Sequence, residues 1–219
     1  MKHKLEADGI ELFFGARKIL GNIYIKCETG SITGLLARNG EGKTCLMNII
    51  YGSLKANDSS VRFDDLKIAK AYKRPDLLTY LPQFNFIPAS LSLKRIFNDF
   101  NVSFTEFEML FPEFKDRQGV QIKKLSGGQR RLVEVYVIIK SNAQFVMLDE
   151  PFSHVMPLHI EKLKELLHTE KQYKGFLITD HMYRQIIDAS DNLYLLTEGK
   201  IHLTSTTEDI ERLGYARFS

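Results

Sequence analysis

The sequence predicts an α/β fold in which apolar strands precede helices and carry polar residues to one edge of a sheet. Residues 31–36 are an apolar run, followed by a glycine-rich stretch at residues 37–44 and then by a helical pattern. Residues 126–128, Ser-Gly-Gly, begin a second helical pattern. Residues 145–148 are another apolar run, and two carboxylates follow it directly. Strands followed by polar loops and helices in this way are typical of α/β proteins.

Short extended segments, interrupted by glycines, make up the start of the chain. We expect strands at residues 5–14, 19–27 and 31–36. Two aromatic residues, Phe13 and Phe14, end the first of these segments. At least one of the two is expected in the core, and the other is free to contact a ligand.

The stretch at residues 37–44 has the spacing of a phosphate-binding loop, although Ala37 replaces its usual first glycine. Gly40 and Gly42 permit backbone conformations that point successive N–H groups into one anion site, which the following helix N-terminus reinforces. An ordinary glycine turn before a helix is the alternative. We expect Lys43 to reach the β- and γ-phosphates of ATP and the Thr44 hydroxyl to bind Mg²⁺. The expected ATP-binding residues are Asn39, Gly40, Glu41, Gly42, Lys43, Thr44 and Cys45, with Phe14 stacked on the adenine ring.

Two short strands are expected at residues 61–63 and 67–69, and a third at residues 77–81. A glutamine follows this third strand, directly after Pro82. Beside a phosphate site, the neutral amide of Gln83 can contact Mg²⁺ or the attacking water. Without such a site, the same glutamine would be an ordinary loop residue.

Residues 84–130 differ in character from the rest, since they are rich in phenylalanine and contain helical patterns at residues 93–100 and 105–110. They predict a small α-helical subdomain inserted into the main fold. The aromatic residues either form its core or line a groove for a helix of another protein. These residues are Phe84, Phe86, Phe97, Phe100, Phe104, Phe107, Phe111 and Phe114.

The sharpest signal is residues 125–129, Leu-Ser-Gly-Gly-Gln, which precede a helical pattern at residues 130–139. A serine and two glycines at a helix start form a second anion-binding N-terminus. Two such helix starts in one short chain suggest an ATP site shared between two copies. The residues expected to contribute to it are Ser126, Gly127, Gly128 and Gln129.

Two later strands also deliver polar residues to their carboxyl ends. Asp149 and Glu150 follow residues 145–148, and His181 follows the apolar residues 175–179. Asp149 is expected to hold Mg²⁺, Glu150 to accept a proton from the attacking water, and His181 to contact the γ-phosphate. The alternatives are an ordinary acidic turn and a surface histidine.

Composition limits the other function classes. The chain has 219 residues, of which 44% are hydrophobic and 26% charged, as in ordinary globular proteins. The net charge of +3 is too small to indicate nucleic-acid binding. The two cysteines, Cys27 and Cys45, predict free thiols. The helix start would lower the pKa of the Cys45 thiol, and a small packing residue is the alternative role for Cys45. No apolar run approaches the roughly 20 residues that span a bilayer, and residues 1–6 lack a signal-peptide core.

In order and approximate spacing, these motifs resemble those of the ABC-type ATPases over nearly the full length of the chain. Within that family, residues 150–152, 178–184 and 198–200 are most similar to single-domain ATPases of lipopolysaccharide export and branched-chain amino-acid import. The resemblance implies one domain over residues 1–219: a P-loop NTPase core with an N-terminal antiparallel β subdomain and the inserted helical subdomain at about residues 84–130.

The resemblance also implies a mechanism. Two copies would face head to tail around two ATP molecules and drive a transmembrane permease from the cytoplasmic face of the cell membrane. Each ATP and its Mg²⁺ would be held by Lys43, Thr44, Gln83 and Asp149 of one copy and by residues 126–129 of the other. Glu150 would be the general base, and His181 would hold the γ-phosphate.

Besides Ala37, one further position departs from the family pattern. The family usually has an aspartate where this chain has Met156, and in the family that aspartate links the two ATP sites. Together, Ala37 and Met156 keep a nucleotide-binding switch with little hydrolysis as an alternative to the transporter subunit. A non-transporter ABC ATPase that acts on ribosomes, DNA or iron–sulfur assembly is a further alternative, although the chain has neither tandem ATPase halves nor a long coiled-coil insertion.

Overall fold

The computed structural model describes residues 2–204 and 206–216, which form two β-sheets and a set of helices. The described strands are β1 (Lys4–Phe14), β2 (Arg17–Glu28), β3 (Ile32–Ala37), β4 (Asp58–Phe63), β5 (Leu66–Lys67), β6 (Leu78–Leu81), β7 (Phe145–Asp149), β8 (Gly175–Thr179), β9 (Asn192–Thr197) and β10 (Lys200–Thr204). The described helices are α1 (Lys43–Tyr51), α2 (Leu93–Asp99), α3 (Phe104–Leu110), α4 (Gly127–Ile139), α5 (Pro157–Glu170), α6 (Tyr183–Ala189) and α7 (Thr207–Arg212). The mixed α/β fold predicted from the sequence is therefore confirmed.

The larger sheet has the strand order β10-β9-β3-β8-β7-β6, and only β10 runs antiparallel to its neighbour. Its central strands are buried on both faces, which explains their continuous apolar sequences. Successive side chains of β7 enter opposite cores: Val146 and Leu148 lie on one side, and Phe145 and Met147 on the other. The sheet therefore separates two hydrophobic cores.

The smaller sheet is antiparallel, with the order β2-β1-β4-β5, as the resemblance implied. It shares one core with α1 and with one face of the larger sheet. The expectation that Phe13 or Phe14 is buried is wrong, because Phe13 is half-buried and Phe14 is 54% exposed. Leu12 is the buried residue at this end of β1.

An aromatic cluster fills the core under α2, α3 and α4. The fully buried ring of Phe107 is its centre, with ring centroids 4.7 Å from Phe114 and 4.9 Å from Tyr136. Most of the phenylalanines singled out from the sequence therefore form a core. Phe97 belongs to that core, whereas Phe84 is 71% exposed. The boundaries of an inserted subdomain remain a prediction, as does a single domain over residues 1–219, which includes positions outside the described ranges.

The sequence predicts a short final helix at residues 207–213, where α7 lies, whereas α5 and α6 were not anticipated. Helix α5 begins at Pro157, a favourable first helical position, and buries Ile160, Leu163 and Leu167 at helical spacing. That signal was present in the sequence, whereas α6 is too short to show clear periodicity. None of the described helices is both long and apolar enough to cross a membrane.

Replacing Phe107 with alanine should lower the free energy of unfolding by about 3–5 kcal/mol, because a buried ring would leave a cavity. Urea denaturation measures this change. The matched control is Phe84→Ala, which removes an exposed ring and should change stability by less than about 0.5 kcal/mol. Equal effects of the two substitutions would contradict the assignment of the aromatic core.

Candidate functional site

The carboxyl ends of β3, β6, β7 and β8 lie at one edge of the larger sheet, because these strands are parallel. In the sheet register, Leu81 is paired with Leu148, and Asp149 is paired with Thr179. This register brings the residues that follow each strand together. A cleft of about 460 Å³, which we call the main cleft, opens at this edge. Its lining residues are Phe14, Arg17, Ile19, Asn39, Gly40, Gly42, Lys43, Thr44, Cys45, Gln83 and Glu150.

The glycine loop joins β3 to α1. Gly40 and Gly42 have φ angles of 84° and 99°, a region that glycine enters without steric strain. Gly42 is also the N-cap of α1, so no side chain caps this helix start. The substitution at Ala37 is tolerated because that residue is the last of β3, with extended backbone. The loop has the geometry of an anion-binding site at a helix N-terminus.

The ammonium group of Lys43 lies under this loop. Its Nζ donates hydrogen bonds to the carbonyl oxygens of Ala37 (2.6 Å) and Arg38 (3.1 Å). Burial lowers the pKa of Lys43, while the nearby carboxylates of Glu150 and Asp149 act in the opposite direction. An anion in the loop would stabilise the charged lysine further.

Asp149 ends β7 beside the start of α1. The Thr44 hydroxyl donates to its Oδ2 at 3.0 Å, and the Tyr80 hydroxyl donates to the same oxygen at 3.2 Å. Burial raises the pKa of Asp149, and these two hydrogen bonds oppose that shift. The contribution of Tyr80 was missed, since a tyrosine within an apolar strand gives no motif.

Glu150 has a φ angle of 53°, an uncommon conformation for a residue other than glycine. Its amide donates to Thr179 O at 2.7 Å, which extends the pairing of β7 with β8 and brings Glu150 towards His181. Ser153 lies between the two side chains: its Oγ donates to Glu150 Oε2 at 3.2 Å and lies 3.4 Å from His181 Nδ1. Ser153 was not among the predicted site residues.

Two buried side chains fix the loops that carry these groups. Asp180 accepts hydrogen bonds from the amides of Phe152 and Met182, each at 2.9 Å, so it joins the loops after β7 and β8. Arg131, on α4, donates to the carbonyl oxygens of Pro82, Asp149 and Glu150. Sequence patterns had indicated neither role, because each side chain binds backbone groups that are distant in sequence.

Of the remaining predicted residues, Phe14 and Gln83 are both exposed and line the main cleft. Arg17 and Ile19 line it too, and no motif marked them. The side chain of Glu41 is directed elsewhere, since its Oε2 accepts a hydrogen bond from the amide of Glu198 at 2.9 Å.

The residues of the second helix start lie in a different cleft, also of about 460 Å³. Its lining residues are Glu113, Ser126, Gly128, Gln129, His154, Met156 and His159. Ser126 caps α4, with its Oγ accepting from Gln129 N and Gln129 Oε1 accepting from Ser126 N, each at 3.2 Å. A Cβ on Gly128 would lie 2.4 Å from His154 O, so a close backbone approach requires this glycine. The structure therefore does not bring residues 126–129 to the main cleft of the same chain.

The expectation that the pKa of the Cys45 thiol is lowered is wrong. Partial burial raises the pKa of the Cys45 thiol and disfavours the thiolate. Cys27 is buried, and burial raises the pKa of its thiol to about 12. Both cysteines are free.

Comparison with known proteins decides the family. The family model described as "ABC transporter" matches residues 20–153. The chain belongs to the ABC transporter family. The glycine loop and the two carboxylates after β7 both lie within the matched range.

Named relatives of this chain are ATP-binding proteins of transporters, and a solved structure shares its fold. A "Probable ABC transporter ATP-binding protein" of Azorhizobium caulinodans is 31% identical over 94% of this chain and 78% of its own length. The "Lipopolysaccharide export system ATP-binding protein LptB" of Haemophilus influenzae is 26% identical over 94% of this chain and 92% of its own length. A solved "ATP binding subunit of ABC transporter" has a TM-score of 0.80 at 20% identity, covering 96% of this chain and 93% of that one. The last similarity shows the shared fold.

The family gives the chain its general activity. It is an ATP-binding protein of the ABC transporter type, and proteins of this type hydrolyse ATP. The ATPase function expected from the motifs is thereby confirmed. The roles of individual residues remain predictions.

Replacing Arg131 with methionine should lower the free energy of unfolding by about 3 kcal/mol, because buried carbonyl oxygens would lose a charged donor. Urea denaturation again provides the measurement. Arg95→Met is the matched control: Arg95 pairs with Asp99 on the surface of α2, and its loss should change stability by less than about 1 kcal/mol. Unchanged stability of Arg131→Met would show that the guanidinium does not hold these loops.

Proposed function

We propose that this chain is the ATP-hydrolysing subunit of a membrane transporter and that two copies enclose two ATP molecules head to tail. The observation that carries the proposal is the separation of two sites. The glycine loop and Glu150 line one cleft, whereas Ser126 and Gly128 line another that shares no residue with it. A second copy would supply the missing helix start to each main cleft.

The start of α4 retains the means to bind an anion. Among the described residues, none accepts a hydrogen bond from the amides of Gly127 or Gly128, which lie in the first turn of α4. The helix N-terminus adds partial positive charge at the same point. Together with Ser126, these amides form the surface that we propose contacts the γ-phosphate of ATP bound to the partner copy.

Within the main cleft, the amides of residues 39–44 would bind the phosphates, and Lys43 would contact the β- and γ-phosphates. Phe14, which is 54% exposed at the cleft, would stack on adenine. The attacking water would pass a proton to Glu150 as its oxygen bonds to the γ-phosphorus and the bond to ADP breaks. Ser153 holds Glu150 Oε2 for that step, and His181 would stabilise charge on the γ-phosphate.

The donor set fits Mg²⁺. Thr44 Oγ1 and Asp149 Oδ2 lie 3.0 Å apart, and Mg²⁺ in nucleotide sites takes such oxygen ligands together with phosphate oxygens. We propose these two residues and Gln83 as its holders. The ion would neutralise phosphate charge when bound.

We further propose a transmembrane permease as partner, with the chain on the cytoplasmic face of the membrane. The support is a relative named for an export system and the exposed ring of Phe84, adjacent to Gln83. An exposed apolar side chain at this point can contact a helix of the partner. Because it is adjacent to Gln83, this contact would couple ATP binding in the cleft to the partner.

A nucleotide-dependent switch with slow hydrolysis is the second candidate. The observation in its favour is Met156, which is 60% exposed and is the N-cap of α5 without a side-chain hydrogen bond. An aspartate here would accept hydrogen bonds, whereas methionine cannot do so effectively.

Glu150→Gln should lower the ATP hydrolysis rate by about 10²–10⁴-fold while ATP binding persists, because the amide cannot accept the proton. Steady-state phosphate release and nucleotide binding measure the two effects. The variant should also run as a dimer in ATP during size-exclusion chromatography. Glu165→Gln, on the exposed face of α5, is the control. Wild-type protein that binds ATP without hydrolysis, even with its membrane partner, would favour the switch.

Purification of the tagged protein from native membranes in mild detergent tests the partner. We expect a multispanning membrane protein to copurify, and Phe84→Ala should reduce its recovery. Copurification with ribosomes, or no partner, would contradict the transporter assignment and support a non-transporter ATPase.

A further inference from the structure

The phosphate loop contacts the turn between β9 and β10, which none of the motifs explains. Glu41 Oε2 accepts the amide hydrogen of Glu198 at 2.9 Å. The turn consists of Glu198 and Gly199, with φ angles of 50° and 68°. Two successive left-handed residues define a tight hairpin turn of type I′. The carboxylate of Glu41 therefore binds the backbone of a tight turn.

The same turn contacts the other side of the main cleft. Gly21 N donates to Gly199 O at 2.8 Å, and a Cβ on Gly199 would lie 2.9 Å from Ile19 O. Ile19 lines the cleft together with Phe14, the proposed adenine-stacking residue. The turn thus contacts both the phosphate loop and the strand beside the proposed adenine site.

We infer that Glu41 is a positioning residue that fixes the phosphate loop relative to the adenine side of the cleft through the β9–β10 turn. The inference rests on the proposed placement of ATP in this cleft. ATP must contact both sides at once, through its phosphates and its adenine ring, and preorganised spacing strengthens such binding. Glu41 carries out this role through its contact with Glu198 and touches no reacting atom.

The charge of Glu41 introduces a second effect. A carboxylate near the phosphates repels them, and its hydrogen bond to Glu198 holds it towards the turn. Any substitution that removes the charge also removes this repulsion. A test must therefore compare two neutral replacements, of which only one retains the acceptor oxygen.

The test compares Glu41→Gln with Glu41→Ala in the full-length protein, using ATP affinity from equilibrium binding of a fluorescent ATP analogue. The amide oxygen of glutamine can still accept the Glu198 amide hydrogen. We expect Glu41→Ala to bind about 5-fold more weakly than Glu41→Gln, the loss of about one hydrogen bond. Equal affinities would overturn the inference.

A second arm separates positioning from a general structural effect. Gly199→Ala should displace the turn, because its Cβ would clash with Ile19 O. When Gly199→Ala is present, the difference in ATP affinity between Glu41→Ala and Glu41→Gln should disappear. A purely local effect of residue 41 would preserve that difference. Thermal melting without nucleotide identifies variants that fail to fold, and if Gly199→Ala is one of them, the comparison of Glu41→Gln with Glu41→Ala alone decides the inference.

Binding of the ATP analogue to the wild-type protein distinguishes failure of the proposed ATP site from failure of the positioning role of Glu41. If wild-type protein fails to bind the analogue, the proposed placement of ATP is wrong. If it binds and the two Glu41 variants are equal, only the positioning role is wrong.

Discussion

The parallel pairing of β3, β8, β7 and β6 is the constraint on which the site depends. Parallel strands end at the same edge, so the glycine loop, Gln83, the carboxylates and His181 meet there although they are far apart in sequence. A shift of one residue between β7 and β8 would reverse which face each side chain occupies. The two cores therefore specify the register that also places Asp149 and Glu150.

Buried polar contacts then set the loops on this frame. Arg131 binds carbonyl oxygens from the ends of β6 and β7, and Asp180 binds amides from the segments after β7 and β8. Each unpaired buried group would be unfavourable, so the loops have few alternatives. Glu150 keeps its left-handed backbone conformation within this set of contacts.

Local sequence patterns were sufficient for the strands, the glycine loop and the capped start of α4, because their signals lie within about ten residues. Patterns did not indicate Arg131, Tyr80 or Ser153, whose partners lie in other elements and are backbone or single side-chain atoms. The burial of Phe97 and the exposure of Phe84 also depend on packing that periodicity does not define. Motifs thus identify the chemistry, while the supporting contacts require the fold.

Glycine occupies positions 127 and 128, at the start of α4, for two different physical reasons. A Cβ on Gly127 would meet open space, so only ligand approach or backbone freedom favours glycine there. Gly128 instead lies against the carbonyl of His154, in the segment that follows Glu150. Gly128 thus brings the segment after Glu150 into direct backbone contact with the helix start that we propose binds the partner's ATP. A larger residue at this position would have to displace one of the two, so the close packing of these backbones and the glycine depend on each other.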